Sequence, residues 1–143
     1  MLSQYDDRTI LALLEGVKVI AVIGLSPKEV RPSYQVAKRL QTFSYTIAPV
    51  RPGVTEVLGE KAYKKLEDIP FKVDLVNVFS ASKFVADIVE QCIQLGINKI
   101  WLQEGIYDSD AQFKAQSAGI SMIMNQCIYK QIVRLGINQN NNI

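Results

Sequence analysis

Apolar positions along the chain gather into five short runs, at residues 17–23, 45–50, 73–79, 97–102 and 120–124. Each has the length of a strand and lacks helical period, and β-branched and aromatic residues enrich them. The segments between them have a different rhythm. Val36, Ala37, Leu40 and Phe43 fall on one helical face, with Ser33 placed to cap it. Val85, Ile88, Val89 and Cys92 form a second such face behind Ser80 or Ser82, and Gly96 stands where a left-handed residue closes a helix. A third helix is expected to start at Asp108 or Ser109, carry Phe113 and stop before Gly119. A last one, from about Gln126 to Leu135, turns Ile128, Ile132 and Leu135 inward. A short opening helix, about Asp7 to Glu15, precedes the first strand.

Strands that alternate with helices imply parallel pairing through right-handed crossovers. Runs that are apolar on both faces imply helices on both sides of the sheet. The expected fold class is therefore α/β, a doubly wound, mostly parallel five-stranded sheet. Its 143 residues make one domain, residues 1–137, followed by an asparagine-rich tail at 138–143 that is expected to fray. No repeat or internal linker divides it.

Composition narrows the function classes. The net charge of +2 is nearly neutral and no basic stripe stands out, so no nucleic-acid partner is expected. No apolar run approaches the ~18 residues that a membrane span needs. The opening residues, Met1 to Arg8, lack the basic start and apolar core of a secretory signal, and the two cysteines read as free thiols, so a cytoplasmic location is expected. There is no histidine, which removes imidazole bases, histidine metal ligands and phosphohistidine chemistry together. No metal-ligand spacing is visible, and no metal site is expected.

In open parallel sheets ligands bind beyond the carboxyl ends of the strands, where the strand order reverses. The first such end is Gly24-Leu25-Ser26-Pro27-Lys28, continuing to Arg31 and Ser33. An apolar strand running into small residues and then a helix start suits phosphate groups. The dinucleotide fingerprint wants three glycines, whereas Gly24 stands alone. The other ends carry Pro49-Val50-Arg51, then Val78-Phe79 with Lys83, then Gln103-Glu104-Gly105. Lys28, Arg31, Arg51 and Lys83 thus crowd one edge, as a polyphosphate site requires. NAD-binding domains place an acid after the second strand, for the ribose hydroxyls. Arg51 stands there instead and can pair with a ribose phosphate, which leaves NADP and coenzyme A as ligands. Phe79 is placed to lie against an adenine. Glu104 is the one carboxylate on this edge suited to general-base work, but no nucleophile accompanies it. Organising its loop, or accepting hydrogen bonds from backbone amides, suits it better.

Several segments, in order, carry a resemblance. They are Val22-Ile23-Gly24-Leu25-Ser26 with Arg31-Pro32-Ser33-Tyr34, then Pro49-Val50-Arg51-Pro52, then Leu58-Gly59-Glu60-Lys61-Ala62-Tyr63 and Leu66-Glu67-Asp68-Ile69-Pro70. Val73-Asp74-Leu75-Val76-Asn77-Val78-Phe79 and Trp101-Leu102-Gln103-Glu104-Gly105-Ile106 complete the set. Over about Thr9 to Leu135 the chain resembles the small stand-alone CoA-binding proteins. These are similar to the N-terminal domain of the succinyl-CoA synthetase α subunit without its catalytic remainder. The resemblance implies a Rossmann-like fold that binds coenzyme A and has no established reaction. With no histidine to carry phosphate as the synthetase relatives do, the expected function is non-catalytic binding of coenzyme A or an acyl-CoA. It implies that Gly24, Ser26, Arg31 and Ser33 hold phosphates, and that Pro49, Val50, Val78, Phe79 and Lys83 flank the adenosine. The family usually has asparagine where this chain has Arg51. The alternatives are an NADP-binding, oxidoreductase-like protein, or a regulatory subunit that presents CoA to a partner enzyme. A homodimer fits either role. Cys127, at a strand-to-helix turn on the same edge, is placed for a mixed disulfide with the CoA thiol under oxidation.

Overall fold

The computed structural model describes residues 4–138, and the asparagine tail from 139 onward lies outside them. Asp6 opens the first helix, α1 (Asp7–Leu14), by accepting a hydrogen bond from the Thr9 amide at 2.8 Å. The chain then enters β1 (Val19–Ile23), α2 (Pro32–Thr42) and β2 (Thr46–Val50). A small hairpin follows, β3 (Glu56–Val57) and β4 (Glu60–Lys61), and then a 3₁₀ turn at Leu66–Asp68. After β5 (Leu75–Val78), a second 3₁₀ turn at Ser82–Phe84 leads into α3 (Val85–Leu95). The remainder is β6 (Lys99–Leu102), α4 (Ser109–Ser117), β7 (Ser121–Ile123) and α5 (Ile128–Leu135).

The five long strands pair in parallel in the order β2-β1-β5-β6-β7. The chain therefore moves outward from β1 to β2 and then crosses back to β5 on the other side of β1. That reversal opens a crevice between the carboxyl ends of β1 and β5. The two loops nearly touch there. A Cβ on Gly24 would lie 3.2 Å from Ser80 Oγ and 3.4 Å from the Phe79 carbonyl carbon, and Gly24 has φ +84°. Only glycine suits both the space and the conformation.

Each face of the sheet has its own core. Val76, Val78, Ile100 and Leu102 pack with Val85, Val89 and Cys92 of α3 and Ala115 of α4. Ile20, Val22, Leu75 and Trp101 pack with Ile10 of α1, Leu40 of α2, and Ile128 and Ile132 of α5. The expected sheet, doubly wound and covered on both faces, is thus the observed one.

The differences lie at element ends. The first strand begins at Val19, where the Asp74 carboxylate takes the Lys18 and Val19 amides at 3.0 and 2.9 Å. Ser33 does not cap α2. The helix starts at Pro32 behind Arg31, and Ser33 Oγ instead accepts from the Ser26 amide at 2.9 Å. Neither Ser80 nor Ser82 caps α3. Phe84 occupies the cap position after the 3₁₀ turn, and Ser82 Oγ accepts from the Tyr107 amide at 3.1 Å. Asp108 does cap α4, accepting from the Ala111 amide at 3.0 Å, and Gly96 ends α3 at φ +73°. The β3–β4 hairpin has no counterpart among the expected elements. Its two-residue turn, Leu58 and Gly59, has positive φ at both positions.

Candidate functional site

Two buried serines shape the loop after β1. Ser33 Oγ holds the Ser26 amide, and Ser26 Oγ accepts from the Lys28 amide at 3.1 Å. The Gly24 amide is tied to the Val50 carbonyl at 2.9 Å. Pinned in this way, the loop borders a 590 Å³ cavity lined by Gly24, Ser26, Lys28, Arg31, Arg51 and Phe79 among others. No acid lines it. At the start of α2 the Ser33 and Tyr34 amides are among those that a helix leaves without intrahelical acceptors. Three cations and a helix start around an acid-free cavity suit a pyrophosphate.

Arg51 is held on two sides. Its amide donates to the Tyr63 carbonyl at 2.8 Å, and its Nη1 donates to the Gly24 carbonyl at 3.2 Å. The guanidinium thereby ties the end of β2 to the loop after β1. Arg51 and Gly24 also line a second cavity, of 750 Å³, on the α3 side of the sheet. Its floor is apolar, with Ile23, Val50, Leu66 and Ile88, and Lys64 and Lys65 stand in its wall.

Phe79 joins the first cavity to a third, of 670 Å³, between α2 and α5. Ser33, Gln103, Glu104, Cys127 and Lys130 line this one. Gln103 is buried, and its Oε1 accepts from Asn77 Nδ2 and from the Ile128 amide at the start of α5, both at 3.4 Å. Glu104 pairs with Lys130 Nζ at 3.2 Å, so it accepts from an ammonium group rather than from backbone amides. The Gly105 amide donates to Asn125 Oδ1 at 2.7 Å. The two thiols differ. Cys127 lines the third cavity at the cap of α5, whereas Cys92 lies in the core, where burial pushes its thiol up to about 12.

The structure therefore brings together Gly24, Ser26, Lys28, Arg31, Arg51 and Phe79 at the first cavity, and Ser33, Gln103 and Glu104 at the third. Val50 lines the second. Other expected contacts stand apart from these cavities. Leu25 and Val78 are fully buried in the two cores. Pro49 is buried, with its carbonyl accepting from the Tyr63 amide. Lys83 lies over the Phe84 ring, 5.2 Å from its centre, and lines none of the three. Sequence reading missed Lys64, Lys65, Leu66 and Ile88. The signal that places the first three, a bridge between Val50 and Tyr63, is a long-range pairing without a local pattern.

A wider cavity, of 1120 Å³, lies at the opposite edge of the sheet, with walls such as Leu11, Leu14, Val17, Phe43 and Ile137. It sits at the amino ends of β1 and β2, away from the strand reversal. Among the described residues no group of three or more potential ligands could hold a metal ion, and no helix is long and apolar enough to cross a membrane.

A parallel sheet in this order, with phosphate-sized cationic space at its reversal, defines a Rossmann-like α/β domain. More narrowly, the chain belongs to the CoA binding domain family, whose model matches residues 18–132. It is 35% identical over 116 residues to the uncharacterised protein YneT of Bacillus subtilis, covering 81% of this chain and 86% of that one. It is 29% identical over 121 residues to the ADP-forming acetate–CoA ligase I of Archaeoglobus fulgidus, covering 78% of this chain but only 18% of the ligase. The solved structure of a hypothetical protein from Pyrococcus horikoshii superposes with a TM-score of 0.87 at 36% identity, covering 92% of this chain and 93% of that one.

Proposed function

We propose that the protein binds coenzyme A, free or acylated, along the carboxyl edge of its sheet and does not turn it over. The acid-free cavity of Lys28, Arg31 and Arg51 at the strand reversal carries this reading. Coenzyme A has an adenosine, a pyrophosphate and a long flexible thiol arm. Three neighbouring cavities offer places for those parts: the first shares Gly24 and Arg51 with the second and Phe79 with the third. The pyrophosphate occupies the first, the adenosine the second, and the arm runs past Phe79 toward Cys127. NADP fits less well, because its nicotinamide end has no use for a thiol-lined third cavity.

The side chains on this edge support binding without turnover. The chain has no histidine, and Glu104 faces the Lys130 ammonium at 3.2 Å. It matches less than a fifth of the ligase's length, which supports a binding part working apart from a catalytic remainder. Two free thiols suit a reducing, cytoplasmic setting, and a partner enzyme there would receive the bound CoA.

A ligand that binds only the native state raises its apparent stability. The test is a thermal-shift series with CoA, acetyl-CoA, NADP, NAD and ATP at equal concentration. CoA and acetyl-CoA should raise the melting temperature most. An equal or greater rise with NAD or NADP contradicts the proposal.

A further inference from the structure

The cationic residues after β4 have no place in the loops at the strand ends, yet the fold carries them to the edge of the site. Tyr63 forms a parallel bridge with Val50, takes the Arg51 amide on its carbonyl at 2.8 Å, and donates its own amide to the Pro49 carbonyl at 2.9 Å. Tyr63 thus runs alongside the end of β2. The chain beyond it, Lys64 and Lys65, passes the end of that strand and enters the wall of the α3-side cavity.

This cavity is built in two parts. Val50, Leu66 and Ile88, all buried, give it an apolar floor suited to a base. Arg51, Lys64 and Lys65 line it against a single acid, Glu67. Lys65 reaches Glu67 only at 3.9 Å, with both side chains more than half exposed, a contact that contributes little. Lys64 has no ion-pair partner among the described residues. The excess of positive charge fits a second anion, separate from the pyrophosphate in the cavity of Lys28 and Arg31. Arg51 stands between the two, lining both cavities.

We propose that Lys64 and Lys65 hold the ribose 3′-phosphate of the bound coenzyme A, with Arg51 shared between that phosphate and the pyrophosphate. The inference rests on the CoA reading and deepens it. These lysines make the site select CoA over dephospho-CoA, which keeps the adenosine, pyrophosphate and arm but lacks the 3′-phosphate.

The test compares CoA and dephospho-CoA by calorimetric titration of the wild type, of a Lys64→Gln/Lys65→Gln variant, and of a Lys38→Gln/Lys72→Gln control with the same net charge. The wild type should bind CoA more tightly than dephospho-CoA. The Lys64/Lys65 variant should lose about tenfold for CoA, some 1.4 kcal/mol, and less than about twofold for dephospho-CoA. The control should keep both affinities. Wild type that binds both ligands alike, a loss shared equally by them, no loss for CoA, or the same loss in the control overturns the 3′-phosphate assignment and leaves CoA binding standing. Failure of the wild type to bind either ligand overturns the CoA reading itself, and this inference with it.

Discussion

The cations of the edge divide by what else they do. Arg31 is exposed at the start of α2, and its side chain makes no hydrogen bond or ion pair among the described residues, so its guanidinium is free to meet a phosphate. Arg31→Ala should therefore weaken CoA about tenfold, near the lower end of what a charge-assisted hydrogen bond contributes, and leave the unliganded melting temperature unchanged. Arg51 has a structural task as well. Its Nη1 bond to the Gly24 carbonyl fixes the loop that forms the first cavity. Arg51→Ala should weaken both CoA and dephospho-CoA, and CoA the more, because Arg51 also meets the 3′-phosphate. Arg51→Lys should restore little, because an ammonium cannot bridge that carbonyl and a phosphate as a planar fork does. Titration of the three variants checks this. A loss confined to CoA at Arg51 contradicts its role in shaping the loop. The placement of Arg31 and Arg51 on this edge was legible from the sequence because Arg51 follows β2 directly and Arg31 ends the loop between β1 and α2. The tasks of Ser26 and Ser33 were not. They looked like phosphate ligands or a helix cap, but their oxygens hold backbone amides across the loop, a geometry set by how the turn closes.

At the level of elements, period and punctuation revealed all five long strands and all five helices, because burial on one face or two leaves a repeat in the sequence. What they hid were contacts between distant segments. Asp74 caps the start of β1 from the approach to β5, and Tyr63 extends the β2 edge from beyond a hairpin too short to leave a pattern. Gln103 is a third case. On the sequence it belonged to a loop facing a ligand. In the fold its buried amide ties Asn77, in the middle of β5, to the first amide of α5. Gln103→Ala should take this acceptor from the Ile128 amide, leave Asn77 Nδ2 with the Trp101 carbonyl alone, and cost about 1–3 kcal/mol in urea unfolding. Gln103→Glu, which keeps the acceptor, should cost less. An alanine variant as stable as wild type contradicts this bracing role.

For the whole molecule the sheet offers two edges, and the account assigns the ligand to one of them. The amino edge has the larger cavity, 1120 Å³, with apolar walls. The carboxyl edge has three smaller cavities joined by shared residues, with cations in each and the strand reversal at their centre. Volume alone favours the first. Phosphate chemistry and sheet topology favour the second, and for a ligand that carries several anionic oxygens the electrostatic argument decides. Hydrogen-exchange mass spectrometry of the full chain, with and without saturating CoA, tests this choice most directly. The account predicts slowed exchange in the loop from Gly24 to Tyr34, at Arg51 to Val54, and around Lys64 and Phe79, with no change at Leu11 to Lys18 or Ser44. Protection centred on that amino-edge cavity, or none anywhere at saturation, contradicts it.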